Sequence, residues 1–376
     1  MNVKAQYAYN GLEHVIWGQE TVSACLAEVE RSGANDVAII TSPSLRKATG
    51  TVGALADALG DKAVAIFDEL QPHTPAPQVA AFAKLLKSKK ADLVISLGGG
   101  TPIDTAKVAL AMLDAGASDP FIVAGKPPKS TAPKIRQISC PTTLSGAEFS
   151  DLAGLTDPET KIKHSVASFG IGPASVILDP ELAQHTPLDL WLSTGMRAVD
   201  HAIETLCSIA ATPYTDALAA EALSKLADAL RQTKRDPGNL RARLDAQLAV
   251  WLASAGLDRT PYGASHGIGH QLGAVAGTPH GICSCVLLPA VLEWNVDHSL
   301  PAQQRISDIL KADSAADGVR QLLRDLELPA RLSEADVDIN DLPEIAAGST
   351  DNRWVKTNPR PLETAEDIEE LLKTAF

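Results

Sequence analysis

The first half of this 376-residue chain alternates short apolar segments with amphipathic ones, and this alternation constrains the fold more than any other feature. Apolar runs rich in valine and isoleucine predict strands over residues 36–41, 63–67, 92–97, 135–139 and 175–178. Amphipathic segments over residues 45–59 and 77–87 predict helices between them. Strands that are apolar along their whole length and separated by helices are typical of a parallel sheet covered on both faces.

The character of the sequence changes near residue 187. Segments rich in alanine and leucine predict helices over residues 189–208, 216–233 and 240–255, and prolines punctuate the segments that follow. The length also suits about two domains of roughly 150 residues each. We therefore predict an α/β domain with a parallel sheet over residues 1–187 and an all-helical domain over residues 188–376.

The composition argues against several classes of protein. The chain carries 33 Lys and Arg against 46 Asp and Glu, a net charge of −13, which disfavours binding to nucleic acid or to an anionic membrane. No apolar run approaches the roughly 18 residues of a membrane span, and the first residues lack the apolar core of a signal peptide. The 5 scattered cysteines favour reduced thiols over a disulfide framework. We expect a cytoplasmic homodimer that binds a small-molecule substrate.

A triple-glycine segment follows the third predicted strand and opens a helix. Glycines allow the backbone to approach a bulky anion, and the first turn of a helix offers free N–H groups at the positive end of its dipole. The segment matches neither the G-x-G-x-x-G fingerprint nor a Walker A loop. It predicts a pyrophosphate site, the alternative being a plain strand-to-helix turn. The residues proposed for this site are Gly98, Gly99, Gly100, Thr101 and Asp104.

A second loop, also after a predicted strand, carries hydroxyl side chains beside Gly146. Thr142, Thr143 and Ser145 suit contacts with ribose and phosphate oxygens. Serine- and threonine-rich turns are also common helix caps, so this loop alone is weak support for a nucleotide site.

Four histidines fall within a short stretch of the predicted helical domain. His266 and His270 lie four positions apart, which is one face of a helix, while His280 follows a proline and His201 lies on an earlier helix. A lone helical histidine is usually a surface or core residue. Four of them, with glycines beside three, predict a shared metal or proton-transfer site.

Together these motifs resemble the iron-containing (group III) alcohol dehydrogenases over nearly the whole chain. The matching segments are residues 98–107, 141–143, 179–182, 201–204, 266–270, 279–281 and 357–360. The resemblance implies a nucleotide-binding N-terminal domain that takes NAD(H) or NADP(H) and a helical metal-type domain. The same architecture occurs in the dehydroquinate synthases.

Individual roles follow from the resemblance, position by position. It implies that His201, His266 and His280 are ligands of iron or zinc, and that His270 is a histidine near the reacting carbon that does not bind the metal. It also implies that Lys163 lies near the nicotinamide end of the cofactor.

One position departs from the family pattern. The family has an aspartate metal ligand four residues before its first histidine, and this chain has Arg197 there. Arginine cannot bind a cation, and its permanent charge opposes one. Asp200 is a poor substitute, because on a helix it points about 100° away from its neighbour His201. The maleylacetate reductases, a branch of the same superfamily, also lack that aspartate and are described as working without metal. Residues 68–75 resemble the segment that follows the second strand in that branch.

We therefore predict an NAD(P)H-dependent oxidoreductase that reduces a small carbonyl compound, an oxo-acid such as maleylacetate, without requiring a divalent metal. Arg197 is expected to bind a substrate carboxylate, and His270 to donate or relay the proton. In the alternative, Arg197 turns aside to pair with a nearby carboxylate and only blocks the metal. Other functions left open are a metal-dependent alcohol dehydrogenase or aldehyde reductase, a dehydroquinate synthase-like lyase and a non-catalytic binding protein.

The adenosine end of the cofactor also departs from the alcohol dehydrogenases. These often have an aspartate after their first strand that hydrogen-bonds the ribose, and the corresponding residue here is Ser42. Losing that carboxylate removes a repulsion against a 2′-phosphate, and Arg46 and Lys47 follow closely. We expect both NADH and NADPH to be used.

Overall fold

The computed structural model describes residues 7–126, 129, 131–160 and 162–376, which form two compact units. The sheet unit comprises Ala8–Pro187, and the helical unit comprises Tyr7 with Leu188–Phe376. The predicted fold class, a parallel-sheet domain followed by an all-helical domain, is confirmed. No helix in the described part of the chain is long and apolar enough to cross a membrane.

The sheet unit is built on a parallel sheet of six strands. Their order across the sheet is β1-β8-β5-β4-β2-β3, and β6 and β7 form a separate antiparallel hairpin. The strands are β1 (His14–Trp17), β2 (Val37–Thr41), β3 (Ala63–Phe67), β4 (Leu93–Gly98), β5 (Arg136–Pro141), β6 (Leu152–Thr156), β7 (Lys163–Ala167) and β8 (Ser175–Leu178). The carboxyl ends of β3, β2, β4 and β5 are therefore neighbours along one edge.

Both faces of the sheet are covered, as the unbroken apolar strands predict. The helices are α1 (Thr21–Ser32), α2 (Pro43–Ala48), α3 (Thr51–Leu59), α4 (Ala76–Lys89), α5 (Gly100–Asp114) and α6 (Pro180–Ala183). Successive side chains of β2 enter opposite cores: Ile39 packs in the core with α1 and α3, and Ile40 in the core with α4 and α5. This two-residue alternation uses the whole strand for burial.

The segment over residues 45–59 is two helices, not the one that the sequence predicts. Thr49 is extended, with φ −143° and ψ 151°, and this ends α2. Gly50 then caps α3, and the Thr49 and Thr51 hydroxyls are 2.8 Å apart. Threonine and glycine are poor helix formers, and here they redirect the chain between two amphipathic turns.

The helical unit contains nine α-helices in the described residues. They are α7 (Leu188–Cys207), α8 (Pro213–Arg235), α9 (Leu240–Ala253), α10 (Ala264–Val275), α11 (His280–Trp294), α12 (Leu300–Leu310), α13 (Ala315–Leu326), α14 (Leu342–Ser349) and α15 (Ala365–Ala375). Helices α7 and α11 are buried along most of their length and pack against each other. A helix buried on several sides can present polar groups to the interior only if they have partners.

Candidate active site

The triple-glycine segment, Gly98–Gly100, is called the glycine loop here, and it joins β4 to α5. Gly98 has φ +136°, a conformation that side chains with a Cβ rarely adopt, and a Cβ there would lie 2.8 Å from Cγ of Pro102. Gly99 is the extended N-cap of α5 and uses no side-chain cap. The first turn of this long helix therefore begins with backbone N–H groups that no N-cap side chain satisfies.

The second loop packs directly on the glycine loop. The N–H of Thr142 donates to the Gly98 carbonyl over 3.0 Å. A Cβ on Gly99 would meet Cγ2 of Thr143 at 2.9 Å, and one on Gly100 would lie 3.6 Å from Oγ of Ser145. The structure thus brings the two sequence-predicted loops into one site, with the hydroxyls of Thr143 and Ser145 3.3 Å apart.

Four more of the predicted cofactor residues lie around this site. Asp104 on α5 accepts a hydrogen bond from the N–H of Gly154 over 3.0 Å. The stem of Lys163, on the neighbouring strand β7, crosses Gly154, where a Cβ would stand only 2.5 Å from its Cε. On the other side, Oγ of Ser42 lies 4.0 Å from the Cβ position of Gly98. Thr101 occupies the second position of α5 and is half-buried.

The sequence interpretation assigned no role to two buried charged groups beneath this site. The Lys107 side chain is fully buried, and its Nζ donates to the carbonyl of Leu152 over 2.8 Å and to Oγ of Ser150 over 3.2 Å. Glu148 lies in the second loop, and burial raises its pKa to about 7 against the opposing effect of Lys107. The signal in the sequence was a lysine and a glutamate within two segments otherwise rich in small residues.

The helical unit places four polar side chains on one face of α7. Arg197, Asp200, His201 and Glu204 follow the three- and four-residue spacing of a single helical face. Asp200, His201 and Glu204 are almost fully buried, and the Arg197 side chain is 12% exposed. Buried polar groups of this kind require partners.

The two carboxylates of α7 hold the start of α10 and of α11. Glu204 accepts from Nδ1 of His266 over 2.7 Å and from the N–H of Ser265 over 3.0 Å. Asp200 accepts from the hydroxyl of Ser265 over 2.8 Å and from that of Ser284 over 2.7 Å. The sequence interpretation treated Asp200 only as a poor metal ligand and gave Glu204 no role, whereas the structure makes them the buried supports of His266.

The imidazole cluster comprises His201, His266, His270 and His280. Burial is the main cause that lowers the pKa of His201 and of His266 well below the ordinary value, and the Arg197 charge adds to it, so both rings are neutral at pH 7. Nδ1 of His201 and Nε2 of His266 have no hydrogen-bond partner among the described residues. A neutral imidazole nitrogen without a partner is available to a ligand.

Aromatic side chains fix the positions of these rings. His201 stacks on Tyr262 and on His266, with ring centroids 5.7 and 4.9 Å apart. Trp354 lies between His266 and His270, at 5.7 and 4.9 Å from their centroids. The His270 and His280 rings are 6.1 Å apart. The sequence interpretation missed Tyr262 and Trp354, although Trp354 lies only three residues before the matched segment over residues 357–360.

Arg197 lies beside the carboxylates and the neutral imidazoles. Its Nη1 donates to the Ser284 hydroxyl over 3.2 Å and lies 4.0 Å from Oδ2 of Asp200. Burial raises the pKa of Asp200 to about 6, and Arg197 opposes that rise. The contact with Asp200 agrees with the alternative in which Arg197 pairs with a carboxylate, and a role in binding substrate stays a prediction.

By distance, the side chains able to share a cation differ from those that the resemblance implies. Within the described ranges, ligand atoms of Asp200, Glu204 and His266 lie within 4.8 Å of one another. Only His266 belongs to the expected set of His201, His266 and His280. That expected set stays a prediction.

Comparison with known proteins agrees with this architecture. The profile of iron-containing alcohol dehydrogenases matches residues 13–180, and that of the C-terminal domain of the Fe-containing alcohol dehydrogenase family matches residues 191–376. A dehydrogenase of Alternaria alternata is 32% identical, over 90% of this chain and 98% of its own. The NAD-dependent methanol dehydrogenase of Bacillus methanolicus is 28% identical, over 96% of this chain and 97% of its own.

The crystal structure of the maleylacetate reductase of Agrobacterium tumefaciens superimposes with a TM-score of 0.85, at 26% identity, over 100% of this chain and 98% of that one. The family profiles and the relatives define an oxidoreductase with a nicotinamide cofactor. The chain belongs to the iron-containing alcohol dehydrogenase family. The similarity to maleylacetate reductases confirms the expected branch.

Proposed function

We propose that the protein reduces a small oxo-acid such as maleylacetate with NADH or NADPH, and that it does so without a divalent metal ion. The observation that carries this proposal is Arg197. It replaces the family's aspartate ligand, and its Nη1 lies 4.0 Å from Asp200. A permanent positive charge there disfavours a metal ion and favours an anionic substrate.

The sheet unit fits a dinucleotide. The glycine loop carries no side chains, and the N–H groups at the start of α5 have no side-chain cap among the described residues. Gly99, Gly100, Thr143 and Ser145 would hold the pyrophosphate, and Lys163 the nicotinamide end. When bound, the cofactor supplies the hydride.

The helical unit fits a divalent cation poorly. Oδ2 of Asp200 and both oxygens of Glu204 already accept hydrogen bonds from Ser265, Ser284 and His266, whereas Oδ1 of Asp200 has no partner among the described residues. A cation between them would displace these donors and would also face the Arg197 guanidinium. We therefore assign the two carboxylates to support of His266, and we derive no step through a metal.

Arg197 and the residues of the imidazole cluster then have distinct tasks. Arg197 binds the substrate carboxylate through guanidinium N–H groups not directed at Ser284, and this orients the carbonyl. Nε2 of His266 and Nδ1 of His201, which lack partners in the described residues, contact the polar atoms of the substrate. Adding a hydride to the carbonyl, or to a C=C bond conjugated with it, leaves one proton to be supplied, and His270 supplies it.

The test is a steady-state assay that follows the absorbance of the reduced nicotinamide. Oxo-acids, aldehydes and alcohols are compared with both cofactors, with and without a chelator. We expect an oxo-acid to be reduced equally well in chelator. Arg197→Met should raise KM for acidic substrates about tenfold or more, since one charge-assisted contact is lost. Arg241→Met, at an exposed pair with Asp245, is the matched control.

A metal-dependent alcohol dehydrogenase is the second candidate, and the 4.8 Å grouping of Asp200, Glu204 and His266 favours it. Loss of activity in chelator, with recovery on adding iron or zinc, would replace the first proposal with this one. An unchanged KM and kcat in Arg197→Met for every acidic substrate would remove the carboxylate-binding role.

A further inference from the structure

An ion pair lies at the edge of the sheet, beside the glycine loop but outside it. Arg46 on α2 and Asp68, directly after β3, form a contact of 2.9 Å between Nε and Oδ2. Strand β2 pairs in parallel with β3 on one side and with β4 on the other. The carboxyl ends of the three strands therefore carry, in order, Asp68, Ser42 and the glycine loop.

Ser42 connects this pair to the cofactor site. Its Oγ caps α2 by accepting from the N–H of Leu45 over 3.2 Å, and it lies 4.0 Å from the Cβ position of Gly98. A dinucleotide whose pyrophosphate lies on the glycine loop has one ribose on each side. The adenosine ribose, directed toward β2 and β3, then lies against Ser42 and the ion pair.

The two members of the pair favour opposite forms of that ribose. A carboxylate accepts hydrogen bonds from a free 2′-hydroxyl and repels a 2′-phosphate, while a guanidinium binds the phosphate. Here Ser42 leaves no carboxylate at the end of β2, and the carboxylate comes from the end of β3 instead. With Arg46 occupied by Asp68, its charge is less available to a phosphate.

We propose that the Arg46–Asp68 pair determines the choice between NADH and NADPH. Asp68 holds Arg46 and adds a negative charge at the 2′ position, which gives a modest preference for the free hydroxyl. The side chains are 39% and 37% exposed, so the pair lies in solvent and opens at little cost. Arg46 then turns to a 2′-phosphate, and NADPH is accepted as well.

The proposal rests on the proposed function only in requiring that the sheet unit binds a dinucleotide. Its test therefore uses binding and no substrate. Calorimetric titration of the whole protein with 5′-AMP and with adenosine 2′,5′-bisphosphate gives two Kd values that differ only through the 2′-phosphate. The ratio of these values is the selectivity.

Asp68→Asn should shift the Kd ratio toward the bisphosphate by about tenfold, because a charge beside the phosphate is lost and Arg46 is released. Adding Arg46→Met to Asp68→Asn should cancel that gain. Glu69→Gln is the matched control: it makes the same change in net charge at an exposed neighbour that has no ion pair in the described residues, and it should leave the ratio unchanged.

Each other outcome is decisive. An unchanged ratio in Asp68→Asn, while both nucleotides still bind, overturns this inference and leaves the proposed function standing. An equal shift in Glu69→Gln also overturns it, since the effect is then one of overall charge. If the wild-type protein binds neither nucleotide, the inference and the proposed function both fail.

Discussion

The glycine loop and the imidazole cluster are constructed in opposite ways. The glycine loop is shaped by the absence of side chains, which lets Cγ2 of Thr143 lie 2.9 Å from where a Cβ on Gly99 would be. The imidazole cluster is shaped instead by side chains that hydrogen bonds hold in place. Glu204 fixes His266 through a 2.7 Å hydrogen bond, and Asp200 accepts from Ser265 beside it.

This difference gives the two sites opposite weaknesses. An added methyl group at Gly99 damages the glycine loop, since it would collide with the closely packed Thr143 side chain. A removed carboxylate damages the imidazole cluster, since buried donors lose their acceptor. Adding a side chain in the glycine loop should therefore weaken nucleotide binding, and removing a carboxylate near the imidazole cluster should lower the stability of the helical unit.

The largest expected effect is at Gly99. In Gly99→Val, Cβ collides with Thr143, and its two methyl groups cover the N–H groups at the start of α5. We expect the affinity for NADH and NADPH to fall about a thousandfold, equivalent to about 4 kcal/mol. Fluorescence titration of the reduced nicotinamide measures this loss.

Gly100→Ala is the control, because a Cβ there makes only an ordinary contact with Ser145 at 3.6 Å. Its affinity should fall much less, and both variants should melt cooperatively like the wild type. Wild-type cofactor affinity in Gly99→Val would mean that the pyrophosphate lies elsewhere.

The next largest effect is expected from a deletion in the imidazole cluster. Glu204→Ala leaves Nδ1 of His266 and the N–H of Ser265 buried without their acceptor. The free energy of unfolding should fall by about 3 kcal/mol. Urea denaturation followed by circular dichroism measures it.

Glu204→Gln keeps an oxygen acceptor of the same shape and should lose less than half as much. Glu221→Ala, an exposed position on α8, corrects for the change to alanine. Equal stability of Glu204→Ala and the wild type would contradict the supporting role of this carboxylate.

The two sites also differed in how far the sequence could predict them. The glycine loop is local: Gly98–Gly100 follow a strand and open a helix within one short segment. The sequence pattern alone therefore predicts this site. The imidazole cluster draws on α7, α10, α11 and the residues before 357, which are distant in sequence. The sequence showed the histidines, but it could not show that Glu204 contacts His266 or that Trp354 lies between two of the rings.

The same distinction applies to the fold. The strands at Ala63–Phe67 and Ser175–Leu178 agree with the predicted limits, because the runs rich in valine and isoleucine coincide with the strands. Strand β1 and the β6–β7 hairpin were not predicted, because His14–Trp17 and Lys163–Ala167 mix polar with apolar residues. Their pairing partners, not their own composition, make them strands.

A smaller effect is expected from pH. Burial raises the pKa of Glu148 from 4.5 to about 7, so the folded protein holds a proton that the unfolded chain has released. This contribution to stability is fully present below about pH 4.5 and is lost as the pH rises through about 7. In Glu148→Gln, the fall in unfolding free energy between pH 5 and pH 8 should shrink by about 2 kcal/mol.

Urea denaturation at both pH values provides the measurement, and Glu159→Gln, at an exposed acidic residue of the same unit, is the control. A Glu148→Gln protein that loses as much stability with rising pH as the wild type would show that this carboxyl is ionised in the folded state.

The smallest effect is expected from Thr143→Ser, which removes only the methyl group that faces Gly99. By itself it should change cofactor affinity less than about twofold, because the hydroxyl beside Ser145 remains. Thr143→Ser is informative when it is combined with a change at Gly99. If Gly99→Ala weakens binding through the 2.9 Å contact with Cγ2 of Thr143, then Gly99→Ala with Thr143→Ser should recover most of the lost affinity. If the double variant binds as weakly as Gly99→Ala, the added Cβ acts directly on the pyrophosphate, and the glycine is required by the ligand and not by the neighbouring loop.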